Sequence, residues 1–233
     1  DVIDLLEKKY NVDLTMSDAT GHSALTKAVS SGVIPVMDYL LQKDGISLIS
    51  NDNCGFNAVN CACAYGQLEV LEYLNEHYCI DFSARDGNGY TPLTTCAAFG
   101  ETEIIEFLMK KCAPGVYVTA SDGLGFTVLT RAAAYGQIRV LEYLSTSFAV
   151  DLTHRDSNGF SPLSKAISCG QIGVIEYLCS VCSVSLTAGW TSRKNKILMM
   201  SGKRFSKLNS KSSICFCFDC FHALKLTFCF CFL

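Results

Sequence analysis

Residues 86–100 read Asp-Gly-Asn-Gly-Tyr-Thr-Pro-Leu-Thr-Thr-Cys-Ala-Ala-Phe-Gly. Asp86 and Gly89 supply turn chemistry, because an Asp side chain bonds the backbone N–H groups just after it. Thr91 is a helix N-cap, and Pro92 falls at the first helical position, where a missing N–H costs nothing. Leu93 and Cys96 make a narrow apolar stripe at helical spacing. Gly100 stands where a helix end takes a left-handed residue. The stretch therefore predicts a turn, a helix and a second turn.

Working outward, the same stretch recurs. The first glycine has counterparts at Gly21, Gly55, Gly125 and Gly159, so the five are separated by 34, 34, 36 and 34 residues. In register with them run Asp18, Asp52, Asp86, Asp122 and Asp156, and a second glycine column of Gly32, Gly66, Gly100, Gly136 and Gly170. A leucine column follows at Leu40, Leu74, Leu108, Leu144 and Leu178. Chance does not align four columns, and a period of this length marks a repeat architecture. Ser23, Asn57, Thr91, Thr127 and Ser161 are the expected N-caps of a first helix. Apolar Leu25, Val59, Leu93, Leu129 and Leu163 and small Ala28, Ala62, Cys96, Ala132 and Ala166 are its buried stripe. A second amphipathic helix runs through segments such as Leu68 to Leu74 and Ile138 to Leu144, and short links such as Cys79 to Asp86 and Ala149 to Asp156 lead to the next turn.

Asp-x-x-Gly-x-Thr-Pro-Leu, small residues, Gly and a Val/Leu-rich helix resembles the ankyrin repeat. Gly89-Tyr90-Thr91-Pro92-Leu93 and Gly159-Phe160-Ser161-Pro162-Leu163 are the closest copies. The resemblance implies an all-α ankyrin-repeat solenoid of stacked helix-turn-helix units with short hairpin/turn links. It covers residues 1–187: a half repeat at 1–17, whose Leu6 falls 34 before Leu40, then repeats at about 18–51, 52–85, 86–121, 122–155 and 156–187. The family usually carries His after the Leu of the motif. Thr26, Asn60, Thr94, Thr130 and Ser164 stand there instead, so the usual imidazole bonds between repeats are not expected, and hydroxyl and amide groups are available to serve in their place. The 36-residue step places a two-residue insertion around Cys112 to Tyr117, expected as a local bulge.

Composition excludes some functions. Residues 1–187 carry 11 Lys/Arg against 21 Asp/Glu, a net of −10, and residues 188–233 carry 8 against 1, a net of +7. The acidic body is a poor partner for nucleic acid, which needs a basic surface. Fourteen cysteines in a long chain with no signal peptide point to reduced, intracellular thiols, in the cytoplasm or nucleus. No nucleophile-elbow, phosphate-loop or zincin pattern occurs, and His22, His77 and His154 lie in different units, so neither catalysis nor a cofactor or metal is expected. The Asp column is structural, and Cys179-Ser-Val-Cys182 has redox spacing but sits at a helix end, where small buried thiols are the plain reading.

The chain starts at Asp1 inside an outer helix, which suggests a fragment of something longer. In residues 188–233 the columns fail. Lys194 to Ser210 fits a degenerate cap, and residues 214–233 are a Phe/Cys alternation with three readings: a membrane anchor, a zinc site of Cys215, Cys217, Cys220 and His222, or a non-native extension. The last is preferred, because composition and charge switch where the register is lost. Asp219 and Lys225 oppose a membrane anchor.

Function is then a matter of surface. The resemblance implies that partners bind at hairpin tips and on the exposed face of the inner helices. Two aromatic columns lie there: His22, Phe56, Tyr90, Phe126 and Phe160 after the first glycine, and Tyr65, Phe99 and Tyr135 before the second. Exposed aromatics grouped on a concave face are the composition of an interface core. Acids on the outer helices, including Glu69, Glu72, Glu103, Glu106, Glu142 and Glu176, form a negative stripe on the opposite side. The expected function is a monomeric scaffold that binds another protein. The rivals are a targeting fragment of a larger enzyme or channel, and a scaffold tethered to a membrane through residues 214–233.

Overall fold

A computed structural model of the chain describes residues 9–10, 12–111 and 116–182. The half repeat's Leu6 and everything from residue 183 on, including the cap and the Phe/Cys segment, lie outside them. The described elements are α1 (Ala24–Ser30), α2 (Ile34–Leu41), α3 (Ala58–Ala64), α4 (Leu68–His77), α5 (Pro92–Phe99), α6 (Thr102–Lys111), α7 (Val116–Thr119), α8 (Val128–Ala134), α9 (Ile138–Phe148), α10 (Pro162–Cys169) and α11 (Ile172–Val181). Among the described residues there are helices and no strand. Inner helices α1, α3, α5, α8 and α10 stack in chain order, and each packs against the outer helix that follows it. The fold is an all-α repeat solenoid.

The inner helices start at the expected side chains. Ser23, Asn57, Thr91, Thr127 and Ser161 each accept a hydrogen bond from the backbone N–H three residues on. In four of them a hydroxyl at that third position bonds back to the cap's own N–H, so Thr26, Thr94, Thr130 and Ser164 close capping boxes. Thr26 also donates to Asp52 across to the next unit at 2.9 Å, and the Asn60 amide donates to the Tyr90 carbonyl at 2.9 Å. A hydroxyl and an amide thus bridge units at the position where the family usually places His. The inner helix ends where Gly100, at φ 91°, takes the left-handed conformation, and Gly170 does the same at φ 72°.

One continuous core runs between the two helix layers. Leu40, Leu74, Leu108, Leu144 and Leu178 are all at most 3% exposed. Each contributes about 1.5–3 kcal/mol by burial, but only because a neighbouring unit covers it. The links add their own column: Leu48 and Leu14 are partly buried against this core, and Phe82, Val118 and Leu152 are buried. Residues 112–115 of the expected bulge lie outside the described residues; after them the short α7 places Val118 in the column the other links fill. Across this link α5 packs on α8 as α3 packs on α5.

Adjacent units are also pinned at the turn between helices. Gln67, Gln137 and Gln171 donate their amides to the carbonyls of Ser30, Ala98 and Ala134 at 2.8–3.0 Å. In the same column stands Glu101, which as a carboxylate cannot donate. Burial, and then the charge of Glu103, pushes its carboxyl above the ordinary value. A raised native pKa means that this group's stability is present below its unfolded value and is lost as pH rises through the native one. Glu101→Gln is therefore expected to stabilise the fold near neutral pH by about 1 kcal/mol, the net worth of one hydrogen bond, and the gain should shrink toward about pH 4. Denaturant melts of the two proteins at both pH values would check this. An equal gain at both would mean the carboxylate charge is not the cause.

Candidate functional site: the hairpin and inner-helix face

The hairpin tips are built from the Asp column. In each, one carboxylate oxygen accepts the backbone N–H groups two and four residues ahead, for example Asn88 and Tyr90 on Asp86 at 3.0 and 2.9 Å, or Leu124 and Phe126 on Asp122 at 2.9 and 3.0 Å. Successive tips then bond to one another: Asn53, Gly87, Gly123 and Ser157 donate their N–H groups to the carbonyls of Gly21, Gly55, Gly89 and Gly125 at 2.7–3.0 Å. The closest approach is between Gly89 and Gly123, where a Cβ on Gly123 would lie 3.0 Å from the Gly89 Cα. The Asp column is the framework of the tips, as its recurrence suggested.

This framework aims the two aromatic columns at each other diagonally across units. The ring after one unit's first glycine meets the ring before the next unit's second glycine. His22 and Tyr65 meet edge to face at 6.1 Å with the Tyr65 hydroxyl 3.3 Å from Nε2, Phe56 and Phe99 meet edge to face at 6.4 Å, and the Tyr90 and Tyr135 hydroxyls are hydrogen-bonded at 2.9 Å. The columns therefore are not two equal exposed ladders. Phe56 is 5% exposed and Phe126 is 8% exposed, Tyr90 is half-buried, and Phe160 is open at 37%. Tyr65, Phe99 and Tyr135, at the ends of α3, α5 and α8, are half-buried with one side toward solvent. Phe56 and Phe126 are buried, the first against Phe99 and the second under Arg131 and Lys165.

What closes over Phe126 went unnoticed in the sequence. Arg131, on α8, is fully buried and donates from Nε to the Asp122 carboxylate at 2.7 Å and from a terminal nitrogen to the Tyr90 hydroxyl at 2.9 Å. Its guanidinium lies 3.9 Å from the Tyr90 ring centre and 4.5 Å from that of Phe126. On α10 the Lys165 ammonium, in a side chain 2% exposed, lies 3.9 Å from Phe126 and 5.5 Å from Phe160. Tyr90, Arg131, Phe126, Lys165 and Phe160 thus alternate aromatic and cation, and desolvated contacts of this kind are worth about 2 kcal/mol. The signal was available: nine residues after each Asp stand Lys27, Cys61, Thr95, Arg131 and Lys165, a column whose last two members are long cations at a position buried in the neighbouring units. Where Thr95 replaces the cation, burial pushes the Asp86 carboxyl up, with Asn60 and the tip N–H groups pulling it partly back.

The remaining candidates are dispersed. His77 and His154 are exposed, and the first stacks on Tyr73 at 4.1 Å. Cys179 and Cys182 are half-buried, and burial pushes both thiols up, the opposite of an activated redox pair. Glu69, Glu72, Glu103, Glu142 and Glu176 are exposed on the outer helices. Among the described residues one N/O/S grouping does assemble. His22, Asp52 and Cys54 bring a ligand-type atom each to within 4.8 Å of one another. No helix among the described residues is long and apolar enough to cross a membrane.

No curated protein matches the chain. The family model described as ankyrin repeats (3 copies) matches residues 1–86, 45–122 and 77–156, and so covers residues 1–156. With paired helices stacked in register, Asp-framed tips and a match over more than half its length, the chain belongs to the ankyrin repeat family.

Proposed function

We propose that this chain is an intracellular, monomeric scaffold that binds another protein through its concave face, with Tyr65, Phe99 and Tyr135 as the anchors and no chemistry of its own. Ankyrin repeats are in general protein–protein interaction modules, and the fold is typically non-catalytic. The observation that carries the finer reading is the column of half-buried rings at the ends of α3, α5 and α8, each propped from behind by a ring of the preceding unit. A propped ring has lost its rotamer freedom before a partner arrives, so its contact area is converted to affinity at low entropic cost. Tyr90 and Phe160 border the column and extend it toward the tips, while Phe56 and Phe126 act from beneath. The acidic outer face would serve solubility.

A photoreactive aromatic placed at position 99 tests this against the same group at Glu142 on the outer face. The expected result is a discrete crosslinked protein from position 99, lost when Tyr65 and Tyr135 are changed to Ala. Adducts from Glu142 alone would overturn the reading. For a partner so identified, Phe99→Ala should weaken binding by about 2 kcal/mol, roughly 30-fold in Kd, with the fold intact by circular dichroism.

A further inference from the structure

The first junction of the array brings together two side chains found at those positions in no other unit. After the first glycine the later units carry Phe56, Tyr90, Phe126 and Phe160, but the first carries His22. Two residues after the tip Asp, Asn88 and Asn158 reach back with their amides to the preceding tip's carbonyl, at 2.9 and 2.8 Å, the fourth unit has Leu124, and the second has Cys54, whose thiol lies 3.2 Å from the Thr20 carbonyl. The two exceptions come from different units, 32 residues apart, and converge on Asp52, which is 8% exposed.

We propose that His22, Asp52 and Cys54 form a binding site for a divalent cation of the Zn2+ class. Imidazole nitrogen, carboxylate oxygen and thiolate sulfur together form a borderline-soft ligand set that suits Zn2+ and disfavours Mg2+ or Ca2+. Three protein ligands leave a fourth position for water. Ligand atoms around one tetrahedral Zn2+ are separated by about 3.3–3.7 Å. Here His22 Nδ1 is 3.0 Å from Asp52 Oδ2 and all three atoms lie within 4.8 Å, so rotation of the half-buried Cys54 side chain completes the approach.

The groups behind the ligands are also in place. The other ring nitrogen of His22 meets the Tyr65 hydroxyl at 3.3 Å, which fixes the ring with Nδ1 toward Asp52. Thr26 donates to the same Asp52 oxygen at 2.9 Å. The second Asp52 oxygen holds the N–H groups of Cys54 and Phe56, both at 3.0 Å, so the carboxylate cannot turn away. Metal ligands characteristically carry such orienting partners. A cation bound at Nδ1 takes the imidazole as its neutral Nε2–H form, which donates to the Tyr65 hydroxyl, and the Cys54 thiol proton leaves to solvent as the sulfur–metal bond forms. The cation would tie the first hairpin tip to the second and hold the His22 ring that supports Tyr65.

The test titrates Co2+, then Zn2+, into the full chain, reduced and metal-free, alongside His22→Phe and Cys54→Asn. Each variant restores a residue that other units carry at that position, so each keeps the repeat's own chemistry, and metal-free melts verify folding. The expected result is a thiolate-to-cobalt charge-transfer band in the parent, displaced by Zn2+ and lost in both variants. Cysteines elsewhere contribute equally to all three and cancel. Tyr65→Phe should weaken binding about tenfold. A parent spectrum matched by either variant, or a parent with no band, would overturn the site.

Discussion

Arg131→Ala should destabilise the array by about 3–5 kcal/mol, because it leaves the Asp122 carboxylate buried without the cation that compensates it. The guanidinium also lies over both the Tyr90 and Phe126 rings and donates to the Tyr90 hydroxyl, so a cavity and one lost hydrogen bond add to the loss. The pair itself is not a large net source of stability, since removing two charges from water costs several kcal/mol for each ion. The double variant Asp122→Asn with Arg131→Met should therefore recover part of what Arg131→Ala loses. Urea melts of the two proteins measure the stability recovered. If Arg131→Ala cost under about 1 kcal/mol, the buried pair would not have the role its geometry gives it.

Leu144→Ala should cost about 2–5 kcal/mol, the usual range for emptying a fully buried leucine site. Leu144 is 0% exposed, on α9, between the outer helices of its neighbours. Repeat arrays are stabilised by the sum of units and junctions. A loss at an internal unit weakens two junctions, so it should broaden or split the unfolding transition. Phe160→Ala, on a ring 37% exposed, should change stability far less and gives the control. Circular dichroism melts followed alongside native-state hydrogen exchange would separate a uniform loss from local unfolding around α9.

Much of this architecture was legible in the chain because its determinants are local. Thr91 caps α5, Gly100 ends it and Asp86 closes its tip through bonds that span two to four residues, and such bonds recur with the period of the repeat. The family resemblance followed from those same positions. The short α7 was not legible, because its place depends on Val118 finding the core, which no local pattern states. The aromatic face was half legible. Its two columns are visible in sequence, but which rings are covered depends on the register between units and on Arg131 and Lys165, each nine residues past an Asp and folded back over a ring from an adjoining turn. The His22, Asp52 and Cys54 grouping was overlooked for a related reason. Its members are ordinary within their own units and become a cluster only when the first two units stack.

The diagonal pairing of rings also bears on how such an array can be recombined. Each junction is shared property: Tyr90 belongs to one unit, yet its partners Arg131 and Tyr135 belong to the next. Shuffling whole 34-residue modules cut at the Asp turns would separate these partners at both seams and leave a mismatched ring on each side. A cassette running from one tip through the following inner helix, such as residues 86–137, transports Tyr90, Asp122, Arg131 and Tyr135 together. Such a cassette keeps one seam whole while Phe56 and Lys165 stay outside it, so chimaeras built on it should lose less stability than those cut through the Tyr90 seam.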